Sequence, residues 1–196
     1  MRAPSPLTPP VVAALTWGNK GNATAVANSG GAIWMSGQGS LENIRHLYKA
    51  APARPYSLVV GFILAPGIGA PNRAGLAVRT STGLNAGHIS FLFADSETAP
   101  VSQRLSLGNW NPYTAFSGYS LDLAYPWIPP IMWMKFNDDG ANLNWYISVD
   151  GQNWVTFHSV TYAASFTGSP DQVGIAIDPG DPNRANGGLF LHWAGI

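Results

Sequence analysis

Cysteine is absent from the sequence, which removes disulfide staples, zinc ribbons and thiol nucleophiles together and leaves stability independent of the redox compartment. Charge is scarce: ten basic residues balance ten acidic ones, and only three of the basic residues are lysines. Such a chain has no basic footprint for a phosphate backbone and no acidic tail, so nucleic acid is not expected as a partner. Glutamate occurs only twice, at Glu42 and Glu97. Long apolar runs are missing too. Residues 1–10 hold four prolines and one arginine around no hydrophobic stretch, too little for a signal peptide or a membrane span, and no membrane insertion is expected. No ten-residue window carries a helical period, and no internal repeat is found.

What remains is glycine, proline and aromatics, the composition of an all-β chain with many turns: 22 glycines, 16 prolines, eight tryptophans, seven tyrosines and eight phenylalanines in 196 residues. That length suits a proline-rich arm over 1–10 followed by one domain over 11–196, large enough to hide roughly 70% of its extended-chain surface. The arm is read either as a frayed start or as a segment that orders against a neighbouring subunit. The clearest pattern lies in 133–159. There Leu143, Trp145, Ile147 and Val149 alternate with Asn144, Tyr146 and Ser148, the period of a half-buried strand. Turn formers at 137–142 and the Asp150-Gly151 pair bracket that strand, which predicts three antiparallel strands in a row. Trp133 enters the first and Trp154 opens the third, and both indoles are expected at the sheet ends or on its buried face.

Further strands are predicted over 23–27, 32–35, 45–49, 56–64, 74–79, 88–93, 101–107, 173–177 and 189–193, separated by glycine, proline and asparagine turns. At least ten short strands of alternating character call for two packed antiparallel sheets, each burying one apolar face, and a jelly-roll sandwich is the economical arrangement. The least regular stretch is 109–130, which holds Trp110, Tyr113, Phe116, Tyr119, Tyr125 and Trp127 among four prolines and is read as a long aromatic loop.

The run Asp138-Asp139-Gly140-x-Asn142-x-x-x-Tyr146-x-Ser148-x-Asp150-Gly151-x-x-Trp154 resembles the concanavalin-A-like lectin and glucanase superfamily. Leu15-Thr16-Trp17, Asn22-Ala23-Thr24-Ala25, Arg45-x-Leu47-x-Lys49-Ala50-Ala51-Pro52-Ala53-x-Pro55-Tyr56, Ala74-Gly75-Leu76-x-x-Arg79, Trp110-Asn111-x-x-Thr114-Ala115-Phe116-Ser117 and Asp171-Gln172-Val173-Gly174-Ile175 are similar to C-terminal modules of bacteriophage tail and virion proteins. The resemblance implies a two-sheet sandwich in a virion protein, assembled in the host cytoplasm with other virion proteins and as a homo-oligomer. The same sandwich serves lectins, hydrolases, adhesins and capsid decorations, so function has to be argued from the site.

Glycoside hydrolysis needs two carboxyl groups across one sugar bond, and glucanases of this superfamily carry them in a Glu-x-Asp-x-Glu strand. Neither Glu42 nor Glu97 lies in one, and the aspartates fall in turns where they bond their own backbone. No Gly-x-Ser-x-Gly elbow and no phosphate-cradling glycine loop occurs. An enzyme is therefore not expected. His46, His88, His158 and His192 lack a paired metal spacing. Asp178-Pro179-Gly180-Asp181-Pro182-Asn183 offers oxygens at calcium-like intervals, and lectins of related fold use calcium beside the sugar, yet two carboxylates make a thin ligand set and no cofactor is expected. The remaining signal is aromatic. Sugar rings stack their C–H faces on indoles and phenols while amides take the hydroxyls, so Trp110, Asn111, Tyr113, Tyr119, Tyr125 and Trp127 are the candidate glycan-binding residues, unless those rings fill the sandwich instead. The expected function is a non-enzymatic virion protein, binding host-surface polysaccharide from the tail; the alternative is a capsid decoration or cement protein.

Overall fold

A computed structural model describes residues 7–65, 71–96, 103–124, 129–183 and 185–195. The strands are β1 (Thr16–Trp17), β2 (Thr24–Ala27), β3 (Ile33–Gly37), β4 (Arg45–Ala50), β5 (Tyr56–Leu64), β6 (Asn72–Arg79), β7 (Ile89–Ser96), β8 (Gln103–Trp110), β9 (Phe116–Ala124), β10 (Met132–Asp138), β11 (Asn142–Ser148), β12 (Val155–Thr161), β13 (Gln172–Asp178) and β14 (Asn186–Ala194). One three-residue 3-10 turn, Val12–Ala14, precedes β1. The strands form two seven-stranded antiparallel sheets. Sheet A runs β1-β4-β13-β6-β7-β8-β9 and sheet B runs β12-β11-β10-β5-β14-β3-β2. The fold is an all-β jelly-roll sandwich, as the strand pattern predicts.

Alternation assigns the faces. In β10 the residues Met132, Met134, Phe136 and Asp138 are buried and point inward, so Trp133, Lys135 and Asn137 point out. In β6 the inward set is Ala74, Leu76 and Val78, and in β13 it is Val173, Ile175 and Ile177. These meet Leu58, Val60, Phe62, Met134, Phe136 and Phe190 of sheet B between the sheets. Each fully buried large side chain there contributes roughly 1.5–3 kcal/mol from removal of apolar surface. The Asp150-Gly151 turn forms as the residue pair predicts: Gly151 has a φ of +72°, and Asp150 accepts from the Gln152 and Asn153 amides.

Sheet A departs from the expected one-face burial. All of β7 except its last residue is buried, on both faces. Its outward side chains Phe91 and Phe93 form a second cluster with Ile44, Ala77, Ile89, Trp110 and Ala176. The long aromatic loop expected over 109–130 is also corrected. Trp110 ends β8, a turn over 111–115 follows, and Phe116 begins β9, which pairs back onto β8. Aromatic residues on both faces of this hairpin, with two register shifts in the ladder, hide the period of two. Of the arm, residues 7–10 are described, and they lie on the protein's own sheet B: the Thr8 amide donates to His192 Nδ1 at 3.1 Å, and the Trp193 amide donates to the Thr8 carbonyl at 2.7 Å.

Candidate functional site

Among the described residues, the candidate glycan residues Trp110, Asn111, Tyr113 and Tyr119 are not brought together as one exposed surface. Trp110 is 0% exposed. Its indole folds back over Gly108, where a Cβ would sit 2.6 Å from it, packs against Phe91, Phe93 and Phe116, and donates Nε1 to Glu42 Oε2 at 2.8 Å. It has no face to offer a sugar and is removed from the candidate set. Tyr113 is partly buried, with its phenol 3.3 Å from His46 Nδ1 and the Arg79 guanidinium over its ring at 5.4 Å. Burial pushes the phenol up to about 12. Asn111 is exposed on the turn, and Tyr119 is exposed on the edge strand β9, in contact with Phe116. Tyr125 and Trp127 lie outside the described residues.

Sheet A is closed on its outer side by residues 42–44. Ile44 fills the cluster beneath Trp110, and its amide donates to the Tyr113 carbonyl. Glu42 turns the chain at a φ of +64°, and the amides of Glu42 and Asn43 donate to the Asp178 carboxylate at 3.0 and 3.3 Å. Under this strap one guanidinium gathers three carboxylates that are far apart in sequence: Arg73 donates to Asp95 at 2.9 Å, to Asp178 at 3.1 Å and to Glu42 at 3.1 Å. Burial pushes the Asp178 carboxyl up, and Arg73 opposes that shift. Asp178, first of the calcium-like loop residues, thus has its oxygens taken by Arg73 and two amides, while Asp181 accepts from the Asn183 amide. Among the described residues no three acidic or histidine side chains converge on a metal position.

His46, below Tyr113, is fully buried, and burial together with the positive charge of Arg79 holds its imidazole down at about 3. Its folded value lies below its unfolded one, so stability is present near neutrality and is lost as pH falls from about 6.5 toward about 3, at up to roughly 1.4 kcal/mol per unit. Urea unfolding of the protein and of His46→Gln between pH 7 and 5 checks this. The variant is expected to lose the slope, and an identical slope would remove His46 as its cause.

The open aromatic surface lies on sheet B. Register places Trp133, Gly61 and His192 in one row across β10, β5 and β14. Gly61 has no side chain to separate the rings, and a Cβ there would lie 2.8 Å from the indole; Trp133 and His192 consequently meet at 5.2 Å between centroids. Gly151 borders the same indole, where an added Cβ would approach to 2.9 Å, and its turn is locked by Ser148 and Asp150. Trp154 stands on the other side, and together they frame a cleft of about 690 Å³ that Leu7, Val59 and Gln152 also line. Lys135, next outward from Trp133, holds its ammonium 4.2 Å from the Tyr146 ring and 4.8 Å from the Trp154 ring. Of the two placements expected for these indoles, the sheet ends or the buried face, Trp154 takes the first, directly before β12, and Trp133 takes neither, since it lies on the outer face of sheet B. The parity of β10 carries the signal: burying Met132, Met134 and Phe136 forces Trp133 outward.

No protein-family model and no curated protein sequence matches the chain. Solved structures do. The GH43 BlXynB protein from Bacillus licheniformis superposes with a TM-score of 0.62 at 15% identity, over 85% of this chain and 33% of that one, so the chain spans about a third of its length. The VIP36 exoplasmic/lumenal domain, in its Ca2+/Man-bound form, gives 0.59 at 9% identity over 93% and 82%. The CBM2 module of the evolved Dit of Lactobacillus casei BL23 phage J-1 gives 0.59 at 11% identity over 93% and 87%. The fold is the concanavalin-A-like sandwich. At these identities the likeness concerns the fold alone, and this chain places its open cleft on sheet B while the outer face of sheet A is filled from within.

Proposed function

We propose that the chain is a non-enzymatic glycan-binding module of a bacteriophage particle, engaging host-surface polysaccharide from a tail-associated position. The cleft between Trp133 and Trp154 carries the reading, because a concave, indole-lined surface with a few polar groups at its rim is suited to stacking pyranose rings. The occurrence of the same sandwich in a phage Dit CBM2 module and in a mannose-bound lumenal domain supports it. The absence of catalysis is supported by the state of the carboxylates on sheet A. Asp95 and Asp178 are buried against Arg73, and Glu42 accepts from Arg73 and Trp110. No metal enters the proposal.

A second reading, a capsid decoration or cement protein assembled with other virion proteins or with copies of itself, is favoured by one observation. Val26, Trp34, Leu189 and Ile63 form a cross-strand apolar row on sheet B, with the first two and Ile63 exposed by 58%, 38% and 36%.

Binding of the purified protein to a panel of host polysaccharides separates the two. Trp154→Ala is expected to weaken glycan binding about fivefold, the loss of one stacking contact of about 1 kcal/mol, with the melting temperature nearly unchanged and with no effect of a chelator on the wild type. If no polysaccharide binds and particles lacking the protein adsorb normally, the adhesion reading is wrong and decoration takes its place.

A further inference from the structure

We infer that the glycan received on sheet B is acidic, with an anionic substituent held by Lys135 while the adjoining sugar ring lies against Trp154. This rests on the glycan-binding reading and deepens it to a ligand class. The observation behind it is a cation with rings for neighbours. Among the described residues three guanidinium groups are matched to acids, Arg54 to Asp138, Arg73 to Asp95, Asp178 and Glu42, and Arg104 to Asp122, while Arg45 and Arg79 donate to the neutral oxygens of Asn43, Gln38 and Gln172. Lys135 forms no ion pair among the described residues and instead lies over Tyr146 and Trp154. Ring faces hold an ammonium in place without neutralising it, and partial burial has already removed some of its water, which lowers its proton affinity from the ordinary lysine value. The group is thus positioned, partly dehydrated and still short of an anion.

The acids nearest this surface do not supply one. Asp150, on the cleft wall, accepts from the Ser148 hydroxyl, the Gln152 and Asn153 amides and the Asn153 side chain, and those backbone bonds hold its carboxyl well below the usual range. Asp139, at the far end of β10, is tied in the same manner to Ala141, Asn142 and Asn144. Along β10 the outward sequence is indole, ammonium, amide: Trp133, Lys135, Asn137, with Asn144 opposite Asn137. The two amides are bonded to Tyr56, Ser57, Asp139 and Ser159 and to each other, and the indole beside the ammonium suits a chain in which a ring face and an acidic group follow one another, as in a uronate-, sialate- or phosphate-bearing polysaccharide.

A printed array of neutral, uronate-bearing, sialate-bearing and phosphorylated bacterial glycans, probed with the wild-type protein and with Lys135→Gln and Lys135→Arg, tests the inference. Wild-type hits are expected among acid-bearing glycans only, with the class of hit naming the anion. Lys135→Gln is expected to weaken them at least about tenfold at unchanged melting temperature, Lys135→Arg to retain most of the affinity, and salt at a few hundred millimolar to weaken wild-type binding. Hits on neutral glycans, or acidic binding that survives Lys135→Gln, overturn the acidic-ligand inference and leave glycan binding standing. No hit on any glycan removes both, and concentration-dependent self-association lost in Trp154→Ala would assign the surface to a second copy of the chain.

Discussion

Trp110→Ala is expected to damage the fold and not a binding surface. The side chain has no exposure, and truncating it opens a cavity among Phe91, Phe93 and Ile44, a loss of about 3–5 kcal/mol. Glu42 also loses the indole donor, which adds on the order of 1–3 kcal/mol if no water replaces it. At about 2–4 °C per kcal/mol for a chain of this size, the fall in melting temperature is on the order of 10 °C, and an insoluble product would agree with it. Trp154→Ala, on the open cleft, should show the opposite pattern of lost binding and retained melting. A Trp110→Ala protein that melts like the wild type and binds glycan less well would restore the outer side of sheet A as the ligand site.

Arg73→Met should be comparably severe, by a different route. It leaves an unbranched side chain of similar length and removes the guanidinium that lies over the Phe93 ring and serves Asp95 and Asp178, both almost wholly buried. Breaking a buried pair from one side costs about 3–5 kcal/mol, because the remaining charge has no solvent to turn to. Burial already raises the Asp178 carboxyl and Arg73 opposes it, so the variant raises it further. A carboxyl whose folded value lies above its unfolded one carries its penalty at higher pH and sheds it as protonation neutralises the buried charge. The stability gap between wild type and Arg73→Met should therefore be widest near pH 7–8 and narrow as pH falls toward the ordinary carboxylate range of about 4. Denaturant titrations at several pH values read this directly, and a gap that widens on acidification would show that Arg73 does not counter these carboxylates.

Strands were legible where one face is wet. Tyr56–Leu64 is predicted to the residue because its inward side chains alternate with outward ones, and the 150–151 turn because Asp-Gly suits a positive φ. The doubly covered strands were legible as strands, since 88–93 and 101–107 lie largely within β7 and β8, but their second cover was not. In β7 and β8 the outward positions are Phe91, Phe93 and Trp110, apolar for the sake of a layer contributed by residues 42–44, and local periodicity has no means of announcing a distant strap. The same non-local geometry concealed the Arg73 cluster, whose four members come from four separate segments. The sheet B cleft was half legible. Parity in β10 places Trp133 and Lys135 on the side away from Met134 and Phe136, but only the register with Gly61 and His192 shows that the row is open and concave.

The strap over sheet A also sets how the domain comes apart. β6, β7 and β13 lie between two apolar layers, whereas β10 and β11 are covered on one side and meet water on the other. Breaths that lift the β11–β12 hairpin, whose turn over 149–154 forms one wall of the aromatic cleft, expose a single layer and can occur by themselves. Amide hydrogens in the middle of sheet A have no such local route; their release requires the strap and the opposing sheet to part together, which is close to unfolding of the whole. The aromatic cleft is thus built on the yielding half of the sandwich, and the doubly covered half acts as its anchor.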